Sequence, residues 1–234
     1  MAKAVKTVLV TGSAGFVGRN LVVHLRRRED LRVLEYDIGT ETPLEELVPQ
    51  ADVVYHLAGV NRPPDPAEFV SGNTGLTEQV CGLAASAPKP PTIALSSSIQ
   101  AELDNPYGLS KREAEEVLRR YAERTAATAV AFRLPNVFGK WSRPNYNSAV
   151  ATFCHNIARG LPITVSDPAR ELQLVYVDDV VAAFMALLDD PGAGGFRYGS
   201  VEPVFRLTLG ELVERIEAIR RSRESLMLPD LGDP

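Results

Sequence analysis

The chain has little of several things that would decide its class at once. Cysteine is scarce: Cys81 and Cys154 are the two present, far apart and without CxxC or Cys/His spacing. That argues against a disulfide framework or a structural zinc and fits a reducing cytosol. Positive charge is not in excess, with 25 Lys and Arg against 30 Asp and Glu and a formal net charge of −5. The chain therefore carries no basic footprint for nucleic acid or for an anionic membrane surface. No apolar run reaches the roughly eighteen residues of a membrane span, and Met1–Lys6 leads straight into a strand-like segment without a signal-peptide pattern. A cytoplasmic protein is expected, with no membrane span and no secretion. His24, His56 and His155 lack spacing partners for a metal, and none is expected.

What is present is the alternation of an α/β fold. At 234 residues and 45% hydrophobic content the chain can bury one sizeable core, with room for a small appended lobe. β-Branched runs at Thr7–Val10, Leu31–Tyr36, Val53–Leu57 and Thr92–Leu95 alternate with helical periodicity at Phe16–Arg28, Pro43–Val48 and Pro66–Ser86. This pattern predicts βαβ units and a Rossmann-like, doubly wound parallel sheet buried on both faces. A helix follows over Pro106–Arg124, with Asn105 as N-cap and Pro106 in its first turn. After a strand at Val130–Arg133 the pattern loosens into a polar and aromatic loop, Phe138–Asn147. Helices are then expected near Ser148–Arg159, Asp178–Leu188 and Thr208–Arg223, with a short strand at Leu172–Tyr176. The dinucleotide-binding core is placed at about 1–135 and the substrate lobe mainly at 136–227. Residues 228–234 read as a linker-like tail.

Two motifs carry chemistry. In Thr11-Gly12-Ser13-Ala14-Gly15-Phe16-Val17-Gly18 a strand runs into a glycine-rich turn and a helix. Gly12 permits the tight turn, Gly15 lets the backbone approach a pyrophosphate, and Gly18 allows close packing of helix on sheet. Nineteen residues on, Asp37 ends the second strand, where a carboxylate accepts hydrogen bonds from ribose hydroxyls and repels a 2′-phosphate. No Lys or Arg lies between Tyr36 and Thr42, so NAD(H) is favoured, with NADP(H) as the alternative. The second motif is Tyr107-Gly108-Leu109-Ser110-Lys111, behind a strand ending in Ser96-Ser97-Ser98. At i, i+4 Tyr107 and Lys111 share a helix face, and the ammonium is expected to lower the phenol's pKa so that Tyr107 serves as general acid. A serine hydroxyl would bond the reacting carbonyl. His56 reads as a packed histidine, Asp178-Asp179 as helix-start carboxylates, and Arg26-Arg27-Arg28 as a solvated helix end.

Together with His56-Leu57-Ala58-Gly59 and Arg133-Leu134-Pro135-Asn136-Val137-Phe138-Gly139, these motifs resemble the extended short-chain dehydrogenase/reductases, the NAD-dependent epimerase/dehydratase family, along nearly the whole chain. The resemblance implies Ser98 as the catalytic serine beside Tyr107 and Lys111, with Ser97 as the alternative. It implies a cofactor held by Gly12, Gly15, Phe16, Val17, Gly18, Asp37, Leu57, Ala58, Gly59 and Lys111, and Asn136 facing a substrate diphosphate. A narrower similarity, in Leu57–Pro63, Ser96–Ala101 and Phe138–Ser148, is to the reductase half of capsule-sugar enzymes of the CapF type. That group reduces the C4 ketone of a UDP-linked 2-acetamido-2,6-dideoxy sugar. Gln100, Arg143, Asn145 and Asn147 are then expected at the substrate, and a homodimer is expected. The chain departs from the pattern in three places. Leu172 stands where many relatives have an arginine, so the diphosphate takes its cation from Arg143 or Arg170. Asp37 favours NADH where CapF-type enzymes are associated with NADPH. The tail at 228–234 stands where a cupin domain would begin, so the chain is either truncated or a stand-alone reductase.

The alternatives are a redox-neutral epimerase that cycles its NAD and a dinucleotide-binding sensor without turnover. Dehydration is disfavoured, because Ile99-Gln100 stand where dehydratases carry an Asp-Glu pair. A sensor typically loses the Tyr or the Lys, and this chain has both.

Overall fold

The computed structural model describes residues 5–146 and 148–227. The expectations for Asn147 and for the 228–234 tail lie outside the described residues. In chain order the strands are β1 (Lys6–Thr11), β2 (Leu31–Tyr36), β3 (Val53–His56), β4 (Thr92–Ser98), β5 (Thr128–Leu134), β6 (Asn136–Phe138), β7 (Glu171–Tyr176), β8 (Gly195–Gly199) and β9 (Phe205–Thr208). The α-helices are α1 (Phe16–Leu25), α2 (Leu44–Leu47), α3 (Leu76–Ala85), α4 (Pro106–Thr125), α5 (Ala149–Arg159), α6 (Val177–Asp189) and α7 (Leu209–Ser225).

A six-stranded sheet runs in the order β2-β1-β3-β4-β5-β8, and every pairing in it is parallel. The Val/Ile/Leu/Ala runs make this sheet because alternate side chains must be buried on both faces. Leu9, Val54, Ile93, Leu95, Ala129 and Ala131 pack on one face with Leu47, Val80, Ala84, Leu118 and Tyr121 from α2, α3 and α4. On the other face Tyr55 and Phe132 meet Phe184 of α6, with ring centroids 5.4 and 4.9 Å apart. The doubly wound arrangement expected from the alternation is therefore present. β4 extends through all three serines, three residues beyond the apolar run that announces it.

The chain divides into two compact units. The first reaches Leu134 and takes back Asp178–Val201; the second holds the described residues of Pro135–Val177 and those from Glu202 to Met227. The units are not consecutive in sequence, because α6 and β8 return to the large sheet. β8 is illegible locally: its glycines at both ends make Gly192–Gly199 read as loop. In the second unit β7 pairs parallel with β6 and antiparallel with β9. Phe153, Ile157, Leu172, Leu174, Leu209 and Leu212 form that unit's own core. The helix expected over Pro66–Ser86 is also different: a π-helical turn, Val70–Gly75, precedes α3. The register change has a local cause. A Cβ on Gly72 would lie 2.3 Å from the Val60 side chain, and the Asn73 side chain bonds both the N–H and the C=O of Val60 at 3.0 Å. Arg28 is not merely solvated, since it pairs with Asp30 at 2.8 Å and with Asp189 at the end of α6.

Two glycines on helices should respond oppositely to alanine. A Cβ on Gly18 would sit 2.1 Å from the Gly12 carbonyl oxygen, whereas one on Gly82 meets nothing within 4 Å. Gly18→Ala is expected to lose about 3 kcal/mol or more to overpacking. Gly82→Ala is expected to gain about 0.5–1 kcal/mol from helix propensity. Urea unfolding of the two variants beside the parent checks both signs.

Candidate active site

The order in which strands are added reverses at β1, whose neighbours are β2 on one side and β3 on the other. Ligands of open α/β sheets bind at the carboxyl ends of the strands at such a switch point. The glycine-rich turn leaves β1 at that end. Gly12 adopts φ +71°, and a Cβ there would meet the Ala58 nitrogen at 2.6 Å, so only glycine lets the turn lie against the end of β3. The Gly12 N–H donates to the Tyr36 carbonyl at 2.8 Å, tying the turn to β2. α1 begins at Phe16 without a side-chain cap, which leaves its first amides as donors for an anion. A Cβ at Gly15 would meet only the Gly12 carbonyl, its oxygen at 3.1 Å. The outer side of the turn is thus open backbone. The Asp37 carboxylate accepts the Ala14 N–H at 2.7 Å and the Ile38 N–H at 2.8 Å. The geometry therefore brings Gly12, Gly15, Phe16, Val17, Gly18 and Asp37 together, with Leu57, Ala58 and Gly59 following β3. An uncapped helix start, an open glycine turn and a carboxylate beside it fit the pyrophosphate and ribose of a dinucleotide.

A buried relay joins this end of the sheet to α4. Thr11 Oγ1 lies 2.8 Å from His56 Nδ1, and Thr77 Oγ1 lies 3.1 Å from Nε2. Thr77 donates its proton to the Asn73 carbonyl at 2.7 Å, so it can only accept from the ring, and His56 carries its proton on Nε2. Nδ1 then accepts from Thr11, which itself accepts the Ala58 N–H at 3.3 Å. The Asn73 amide donates to Ser110 Oγ at 3.0 Å, and Ser110 donates to the Tyr107 carbonyl at 2.8 Å. His56 is buried with both nitrogens satisfied, and burial, with Lys111 nearby, lowers its pKa to about 3. It is the packed, neutral histidine expected.

α4 starts as its sequence implies: Asn105 Oδ1 accepts the Gly108 N–H at 2.8 Å, with Pro106 at the first position. Gly108 is needed there, because a Cβ would strike the Gln100 and Leu103 carbonyls at 2.2 and 2.5 Å. Tyr107 and Lys111 project toward the end of β4. Lys111 Nζ donates to the Ser96 carbonyl at 3.1 Å and lies 5.8 Å from the centre of the Tyr107 ring. Lys111 is almost wholly buried, and desolvation lowers its pKa to about 8 while Glu115 opposes the fall. The Ser98 hydroxyl accepts the Gln100 N–H at 3.1 Å and faces Tyr107. Ser97 turns away, donating at 2.5 Å to the buried Glu115. The structure thus brings Ser98, Tyr107 and Lys111 together and sets Ser97 apart. One expectation is reversed. The pKa of Tyr107 is raised, because burial beneath Phe69, whose ring centre is 5.7 Å away, outweighs the effect of Ser98.

Gln100 is exposed on the turn after Ser98. The other substrate candidates belong to the second unit. Asn136 donates to the Gln173 carbonyl at 3.1 Å, and the Asn145 N–H donates to Thr152 Oγ1 at 2.9 Å. Arg143 is exposed, its guanidinium 5.5 Å from the centre of the Tyr146 ring. Leu172 is buried in that unit's core and supplies no cation. Sequence reasoning missed Asn73, Gly108, Ser110 and Glu115. Glu115 had a signal, standing one turn beyond Lys111 on the Tyr107 face, and so did Asn73, a lone amide between Gly72 and Gly75 in a helical stretch.

Residues 8–197 match the NAD dependent epimerase/dehydratase family, and the chain belongs to it. It is 48% identical over 229 residues to the UDP-2-acetamido-2,6-beta-L-arabino-hexul-4-ose reductase of Pseudomonas aeruginosa, covering 96% of this chain and 60% of the relative. The UDP-glucuronate 4-epimerase 1 of Arabidopsis thaliana is 25% identical, with 97% of this chain and 68% of that protein covered. Among solved structures, the capsular polysaccharide assembling protein CapF of Staphylococcus aureus superposes with a TM-score of 0.85 at 41% identity, over 97% of this chain and 61% of that one. The chain thus spans about three fifths of the length of the Pseudomonas reductase and of CapF, and about two thirds of that of the epimerase. No described helix is long and apolar enough to cross a membrane.

His56 gives the fold an acid sensitivity. The unfolded chain protonates it near the ordinary value of 6.5 while the folded chain resists down to about 3. Stability from this group is complete above the unfolded pKa and falls by about 1.4 kcal/mol per unit as pH drops through that window. The urea midpoint of His56→Gln, lower than the parent's at pH 7, is expected to change less than the parent's between pH 7 and pH 4.

Proposed function

We propose that this chain reduces the C4 ketone of a UDP-linked 2-acetamido-2,6-dideoxy-4-keto sugar, using a nicotinamide dinucleotide as the hydride source. The observation that carries this reading is the 48% identity to the Pseudomonas reductase over 96% of the chain. The convergence of Ser98, Tyr107 and Lys111 supports it. The bound dinucleotide would supply the hydride, held by the Gly12–Gly18 turn, the start of α1 and Asp37. Ser98 orients the carbonyl oxygen by hydrogen bonding, Tyr107 delivers the proton to it, and Lys111 stabilises the negative charge that develops. Burial favours the protonated phenol, the form a reduction consumes. Arg143, Asn136 and Asn145 supply donors suited to a diphosphate and sugar hydroxyls. NADH is the proposed donor, because Asp37 would repel a 2′-phosphate. Solved UDP-glucuronic acid 4-epimerase of the same fold, at 20% identity, was crystallised with NAD and a UDP-sugar.

Tyr107→Phe should lower turnover about 10²- to 10⁴-fold and leave NADH affinity nearly intact, since the phenol moves a proton and does not hold the phosphates. Steady-state rates on UDP-4-keto sugars, beside fluorescence titration of NADH, check the split; undiminished turnover overturns the role of Tyr107. The same titration should rank NADH above NADPH. With this chain as the only enzyme, the reduced sugar made in deuterated buffer should carry no deuterium at C3 above uncatalysed exchange. Epimerisation there needs a base to remove the C3 proton and an acid on the opposite face to return it, roles that Ser98, Tyr107 and Lys111 are not proposed to fill.

A further inference from the structure

We propose that Glu115 is a positioning residue of this site, holding the serine end of β4 against α4 through Ser97 and supplying the negative charge that keeps Lys111 an ammonium. The inference rests on the reading of Lys111 given above.

The geometry is a ladder. Tyr107, Lys111 and Glu115 stand at i, i+4 and i+8 on one face of α4, and each addresses one of three consecutive serines. Ser98 faces Tyr107, the Ser96 carbonyl accepts from Lys111, and Ser97 donates to Glu115. Glu115 is 2% exposed, so protein groups must satisfy it. Its oxygens accept from Ser97, from Arg133 Nε and Nη2 at 2.9 and 2.6 Å, and from the Tyr198 hydroxyl at 3.1 Å. These donors belong to β4, β5 and β8, so the carboxylate is fixed from three strands while its own backbone carries Lys111 one turn away.

The charged and titratable groups around Lys111 can be named from every side. α4 contributes Tyr107 and Glu115. β4 contributes the neutral Ser96 carbonyl, and β3 the neutral His56. β5 contributes Arg133, which binds Glu115 and also Glu102 at 3.1 Å. Tyr198 of β8 bonds to the same carboxylate. Glu115 is the anion whose field raises the Lys111 pKa against desolvation. Without it the midpoint falls. A fall of one unit from about 8 would leave roughly half of the side chains uncharged at pH 7.

The test reads Lys111 directly and needs no substrate. In protein labelled with ¹⁵N-lysine, the Nζ signal that disappears in Lys111→Met is titrated against pH. In the parent it should titrate near 8. Glu115→Gln should lower that midpoint by about one unit. Glu115→Gln combined with Arg133→Gln, which leaves neither charge buried alone, should lower it as well, so a second variant decides the matter if the first does not fold. Ser97→Ala keeps the charge but cuts the tie to β4; it should leave the midpoint in place and lower turnover severalfold. A midpoint that moves by less than about 0.3 units in folded Glu115→Gln, or in the folded double variant, overturns the proposal. Expected shifts in a chain that reduces no UDP-4-keto sugar would sustain the role of Glu115 toward Lys111 and reject the proposed substrate instead.

Discussion

Glu115 is a carboxylate that water does not reach, and the way its lone pairs are filled governs much of the chemistry above it. A buried charge is tolerated only when it is paired and hydrogen-bonded. Here Arg133, Ser97 and Tyr198 meet it from three neighbouring strands. Those strands are adjacent only because the sheet is parallel and runs β4-β5-β8. The fold thus assembles the ion pair, and the ion pair holds α4 at a fixed height along β4. Tyr107 and Lys111 inherit that height, since a helix face repeats every four residues.

The second constraint enters from the opposite side. Gly12 leaves no room between the dinucleotide turn and the end of β3, with a Cβ 2.6 Å from the Ala58 nitrogen. The same Ala58 begins the relay through Thr11, His56, Thr77, Asn73 and Ser110 that ends on the Tyr107 carbonyl. Each hydroxyl on that path both donates and accepts, so the direction of every bond is determined. A partly satisfied network in such surroundings would be costly. The π-helical turn at Val70–Gly75 is what brings Asn73 to Val60 and Ser110 at once.

The elements legible in the sequence were those announced by local physics. Alternating β-branched runs, the glycine turn, Asp37 and the Asn105-Pro106 helix start all depend on neighbours a few residues apart. The return of α6 and β8 to the large sheet was not legible, because strand pairing between Thr128–Phe132 and Gly195–Gly199 is a long-range event and the flanking glycines look like loop. The choice between Ser97 and Ser98 likewise needed the third dimension: β4 had to continue through both before their side chains could separate, one toward Glu115 and one toward Tyr107. Of the polar residues that hold the site, Ser110 carries no signal of its own, and Asn73 and Glu115 carry one only through their positions along a helix. Their meaning comes from burial, which a short window of sequence does not report.

Burial also accounts for the one reversal in the site, at Tyr107. An i, i+4 lysine suggests a phenol of lowered pKa, yet Lys111 spends a hydrogen bond on the Ser96 carbonyl while Phe69 helps to bury the Tyr107 ring. Desolvation disfavours the phenolate, so the pKa rises. The effect on Lys111 has the same origin and the opposite sign, because for an amine desolvation disfavours the protonated form. A pair prepared in this way rests as a neutral phenol beside an ammonium that Glu115 sustains. In the proposed reduction the phenol gives up its proton as negative charge appears on the ketone oxygen. At that moment the ammonium becomes more valuable than in the resting state, which is the differential stabilisation that catalysis requires. An oxidation would need the phenolate first and would have to overcome the burial that disfavours it. The environment of Tyr107 therefore keeps the phenol protonated at rest, the state from which the proposed reduction starts.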